Sequence, residues 1–154
     1  MCMNMILNDL LTKQNVFTKL LIKDGDKELP KELKVKVLRI RMALNKAKKA
    51  FDDEVKEFMD ELLTPEFKDL NSKSDKTSDE EIRFSELAQT INSEYQVYIS
   101  QKLKEEVDII DTTLTDTEYS DIVEVNAGNN VVINGNEVSA VDFLEAVYSL
   151  FVKE

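Results

Sequence analysis

The sequence predicts a mainly α (α+β) fold: a long antiparallel helical hairpin with a short N-terminal helix, a small C-terminal β-hairpin element and a closing helix. Three observations predict it. Leu33, Val37, Ile40, Leu44, Ala47, Phe51, Val55, Phe58 and Leu62 recur at a mean step of about 3.6 residues, the pitch of a straight amphipathic helix. Phe84, Leu87, Ala88, Ile91, Tyr95, Tyr98, Ile99 and Leu103 form a second apolar face of the same kind. Asn134-Gly135 sits between two short apolar runs, and Asn-Gly is the strongest short-range hairpin signal.

Taken in order, residues 1–23 read as one or two lead-in helices, with Leu7, Leu10, Leu11, Val16, Phe17, Leu20 and Leu21 roughly on one side. Asp24-Gly25-Asp26 is a turn. Pro30 opens the first long helix, because the first turn has no use for the N–H that proline lacks. From 30 to 63 that helix would run about 50 Å at 1.5 Å per residue. Val35, Leu38 and Met42 widen its apolar face near the start, which predicts that this half is covered by two neighbours.

Thr64-Pro65 ends the helix, and residues 65–79 lose all periodicity, which predicts a polar loop. Ser78 with Glu81 has capping-box spacing and opens the second long helix. Joined through a short loop, the two helices fold back antiparallel. Beyond 107 the period changes. Val107-Asp108-Ile109-Ile110-Asp111 and Ile122-Val123-Glu124-Val125 read as extended pieces, followed by the Asn-Gly hairpin. Ser139, three residues before Asp142, caps a closing helix with Val141, Leu144, Val147, Tyr148 and Phe151 facing inward. The expected division is therefore 1–106, lead-in and hairpin, and 107–154, a small α+β head.

With three Gly and two Pro in 154 residues, few turns interrupt the elements. Cys2 stands alone, so no intrachain disulfide forms. No stretch approaches the roughly 20 apolar residues of a membrane span, and the first residues lack the basic region of a secretory signal. These features predict an intracellular protein with no membrane partner.

Charge is divided unevenly. Residues 1–51 hold twelve Lys and Arg against five Asp and Glu, a net of +7, whereas 52–154 hold eight against twenty-six, a net of −18. Lys31, Lys34, Lys36, Arg39, Arg41, Lys46, Lys48 and Lys49 crowd nineteen residues opposed only by Glu32. Such a helix needs an acidic neighbour, which could be this chain, a second copy, another protein or a nucleic acid. Self-pairing is favoured: an antiparallel hairpin brings Glu94, Glu105, Glu106 and Asp108 alongside. A nucleic-acid reader would interleave aromatics or carry more Arg, and the nearest aromatic is Phe51. Conversely, the acidic part could imitate the phosphates of DNA.

The chain has no histidine, which removes His triads, His acid–base chemistry and His metal ligands. Asp108, Asp111, Asp116, Glu118, Asp121 and Glu124 invite a Ca²⁺ or Mg²⁺ site, but their spacing matches no EF-hand loop and a solvated face is the better reading. Asn126-Ala127-Gly128-Asn129-Asn130 is a turn, not a phosphate cradle. No catalytic, cofactor or metal residue emerges.

Asn15-Val16-Phe17-Thr18-Lys19-Leu20-Leu21, Leu29-Pro30-Lys31-Glu32-Leu33-Lys34, Leu103-Lys104-Glu105-Glu106-Val107-Asp108-Ile109 and Val141-Asp142-Phe143-Leu144, in this order, resemble a loose group of small phage-encoded helical proteins of unknown function. The resemblance implies a virus-encoded accessory or virion component, found in the host cytoplasm or the particle, with no catalytic residues to carry over. The expected function is that of a non-enzymatic structural or interaction protein that oligomerises or docks onto a larger assembly. Leu44, Phe51, Phe58, Ile91, Tyr95 and Ile99 are its expected packing seam, and Lys31, Lys34, Arg39 and Arg41 its charged contact surface. The alternative is a small regulatory or inhibitor protein that binds a nucleic acid, or a nucleic-acid-binding protein, through a charged face. A metal-dependent hydrolase would need an ion at Asp108, Asp111 and Asp121.

Overall fold

The computed structural model describes residues 2–152, and its fold is mainly α with small antiparallel strand pairs. The chain forms two compact units. One comprises residues 2–48 with 106–152, the other Lys49–Glu105. The boundary expected at 106/107 is therefore not where the packing divides the chain: the lead-in and the C-terminal residues share one core.

In the first unit β1 (Cys2–Ile6) pairs antiparallel with β4 (Glu106–Ile110), Asn4 opposite Asp108. Strand β4 agrees with the extended reading, but residues 2–6 are a strand and not the start of a helix. Helix α1 (Leu7–Phe17) follows directly. The Asp24-Gly25-Asp26 turn joins β2 (Lys23–Asp24) to β3 (Lys27–Glu28), with Gly25 at φ +62°, a conformation glycine adopts without strain. Helix α2 (Lys31–Leu62) runs unbroken, as its periodicity predicts, and gives its residues up to 48 to this unit.

Residues 122–125 are not extended. They belong to α5 (Asp116–Asn126), which begins at a capping box: Thr115 Oγ1 accepts from the Glu118 N–H, and the Glu118 carboxylate accepts from the Thr115 N–H. The β-branched run misled, whereas the buried Ile122, Val125 and Asn126 have helical spacing. β5 (Val131–Ile133) and β6 (Asn136–Val138) flank Asn134 and Gly135, both at positive φ as a type I′ turn requires. Helix α6 (Ala140–Phe151) starts where predicted, with the Asp142 N–H donating to Ser139 Oγ at 3.2 Å. One core collects Leu10, Phe17, Val37, Ile40, Leu44, Ile122, Phe143 and Val147. Within it the Phe17 and Phe151 rings lie 4.7 Å apart.

In the second unit the last part of α2 meets α4 (Ser78–Lys102). Phe58 stacks on Tyr98 at 3.9 Å, and Glu54 pairs with Lys102. Rising numbers on one helix meet falling numbers on the other, so this pair is antiparallel as expected. Residues 65–72 are not loop but helix α3 (Pro65–Ser72). Thr64 Oγ1 caps it and Pro65 occupies its first turn, where proline is preorganised. It packs on the start of α4, Phe67 stacking on Phe84 at 5.2 Å and Glu66 pairing with Arg83.

The α4 capping box sits one residue earlier than predicted, between Thr77 and Glu80. Lys73 and the Thr77 N–H, both bonded to the Glu80 carboxylate, hold it down at about 2. A carboxyl whose folded value is depressed adds stability above its unfolded value of 4.5, which is lost as pH falls toward about 2. In an acid titration followed by far-UV circular dichroism, Glu80→Ala is therefore expected to show less helix at neutral pH and a smaller helicity drop across that window. An undiminished drop would contradict this account of the cap.

Candidate interaction surfaces

The expected packing seam is divided between the two units. Leu44 is fully buried in the core of the first, one turn from Ile40, and takes no part in the hairpin. Phe51, Phe58, Ile91, Tyr95 and Ile99 lie in the second unit and are all half-buried. Indeed α4, 25 residues long, has no fully buried residue. The reason is geometric: a helix packed on one side by one or two short helices keeps the flanks of its apolar stripe in water. Phe58, Glu94, Val97, Tyr98 and Gln101 line an open groove on this unit, with Val97 58% exposed.

The basic run does not find the acids that hairpin geometry predicted. Lys34 pairs with Glu28, and Lys36 donates to Glu118 at 2.7 Å. Glu105, one of the expected partners, is paired with Lys102 instead. Burial alone would raise the Glu118 pKa, but the hydrogen bonds from Lys36 and the Thr115 N–H outweigh it, and the carboxyl lies below its ordinary value. Arg41 is not a surface contact. Its guanidinium is half-buried, donates through Nη2 to the Leu20 carbonyl, and is pushed down by desolvation. Its Nε is buried without a hydrogen-bond partner. Lys31, Arg39 and Lys46 remain exposed and make no ion pair among the described residues.

Two apolar rows expected to be buried are exposed. Val35, Leu38 and Met42 lie on the side of α2 opposite Leu33, Val37, Ile40 and Leu44, and Met42 is 70% exposed. Val141 and Tyr148 lie on the outer side of α6, away from Phe143, Leu144, Val147 and Phe151. Helical periodicity locates a stripe but not its width: each helix has one inward face, and at about 100° per residue the second row lies roughly 160° from it on α2 and roughly 95° from it on α6, outside the part that the core covers. The sequence shows both rows as apolar but does not show which side of the helix meets the core. Their signal was present, since Lys31, Arg39 and Lys46 flank one row and Asp142 and Glu145 the other.

The six carboxylates of 108–124 do not converge. No three Asp, Glu, His or Cys among the described residues are grouped as a metal ion would need. No helix among the described residues is long and apolar enough to cross a membrane. The chain matches no family model, no curated protein and no solved structure.

Proposed function

We propose that this chain is a non-enzymatic structural protein, a component of a phage virion or of its assembly, which works by packing its helical hairpin against protein, a second copy in the first instance. The observation that carries the reading is that the second unit leaves the whole apolar face of α4 half-buried, with Phe58 and Val97 open to a groove. Apolar surface of this extent at one site is what interaction surfaces expose. The absence of histidine supports a non-enzymatic role, and the order of the motifs along the chain supports the viral assignment.

Val97→Glu tests the reading, because Val97 faces the groove while its exposure leaves the hairpin free to form. The wild-type chain is expected to sediment as larger species at micromolar concentration. The variant, with unchanged helicity, is expected to sediment as smaller species than wild type at the same concentration. A wild-type chain that stays monomeric throughout, or a variant that assembles like wild type, would overturn the proposal.

A further inference from the structure

The exposed apolar rows on α2 and α6 match one another in spacing and oppose one another in charge. Val35 and Met42 stand seven residues apart, as do Val141 and Tyr148, so each row spans two helical turns, about 10.5 Å. Among the exposed large apolar side chains of the described residues, only these two sets form such a row on one helix face. Ile82 and Val97, the other pair sharing a helix, stand fifteen residues apart.

The α2 row is flanked by Lys31, Arg39 and Lys46. The α6 row carries Glu145 between its apolar residues and Asp142 beside Val141. Tyr148 is held in place by Tyr119, whose ring meets it edge-on at 5.1 Å.

Within one molecule the two rows cannot meet. Leu33, Val37, Ile40 and Leu44 of α2 and Phe143, Leu144, Val147 and Phe151 of α6 enter the same core; the α2 row lies on the opposite face of its helix and points away from that core, and the α6 row lies on the exposed flank of its own helix. Resting on the reading that the chain self-associates, we propose a head-to-tail interface in which the α2 outer face of one copy docks on the α6 outer face of the next. Apolar residues meet along the centre, and Arg39 and Lys46 lie against Asp142 and Glu145. Because the two faces differ, each copy offers one free end of each kind, and repetition gives a ring or a filament. The contact is small and strengthens at low salt, where its flanking charges are least screened.

Charge exchange tests it by sedimentation velocity at high micromolar concentration and low salt. Arg39→Glu with Lys46→Glu makes both faces acidic, and Asp142→Lys with Glu145→Lys makes both basic. Each double variant alone is expected to self-associate at least about tenfold more weakly than wild type, since like charges then face one another. Mixed in equal amounts, they restore both contacts and assembly returns. All four side chains are exposed, so folding is preserved; circular dichroism checks this, and Met42→Asp provides an independent disruption of the row. Assembly unchanged in both double variants but lost in Val97→Glu would overturn this interface and leave the hairpin reading standing. Failure of the mixture to recover would also overturn it. So would retention of a duplex DNA or single-stranded RNA probe that only the Arg39/Lys46 variant loses, with no self-association of the wild type, which would assign the α2 face to nucleic acid.

Discussion

Phe17→Ala is expected to lower the stability of the first unit by about 3–5 kcal/mol, the range found when a fully enclosed phenylalanine is removed. Phe17 is 0% exposed and packs on Phe151 at a tilt of 55°. It ends α1, so its loss also loosens that helix from α6. The surrounding core holds Leu10 and Phe143, equally enclosed, and cannot collapse into the space without moving two helices. Phe58→Ala in the second unit provides the contrast. Its ring stacks on Tyr98 but is only half-buried, so the loss is about 1–2 kcal/mol from partial burial and stacking. Urea unfolding followed by circular dichroism reads both. Equal losses would mean that the second unit is packed as tightly as the first, contrary to its exposure pattern.

The asymmetry between the units also explains which parts of the fold were legible. Long-range periodicity survives any packing arrangement, so α2 from 31 to 62 and the body of α4 could be read directly. Local chemistry that acts through two or three neighbouring residues was equally plain: Gly25, Asn134-Gly135 and the Ser139 cap. What could not be read were choices made by distant partners. Residues 2–6 become a strand only because β4, a hundred residues away, supplies the other ladder. Ile122-Val123-Glu124-Val125 has the composition of a strand, but the Thr115–Glu118 box and the core make it a helix. The same limit governs the interaction surfaces. The stripes were visible, while Leu44, Val35 and Tyr148 went to the wrong side because nothing local tells a row that meets the core from one that meets another molecule.

Asn126→Ala is the second large effect, and it concerns a side chain that reads as part of a loop. Asn126 is fully buried at the end of α5. Its Nδ2 donates to the Leu21 carbonyl at 3.1 Å and the Ile122 carbonyl at 2.9 Å, while its Oδ1 accepts from the Leu21 N–H at 2.9 Å and from Asn129 at 3.0 Å. Asn129 in turn donates to the Lys19 carbonyl at 2.9 Å. Two asparagines thus replace the ladder that residues 19–21 lack after α1 ends. Alanine leaves both Leu21 backbone groups without these partners, a loss of about 2–4 kcal/mol. The Leu21 amide should then exchange with solvent at least about tenfold faster in hydrogen-exchange measurements. Asn126→Asp separates the two halves of the argument. A carboxylate can accept from the Leu21 N–H but cannot donate to either carbonyl, and burial raises its pKa above the unfolded value. Its folded state therefore binds the proton more readily than its unfolded state, so this variant recovers stability as pH falls through the folded pKa. A variant as stable as wild type at both pH 7 and pH 5 would show that size, rather than hydrogen bonding, is what the site requires.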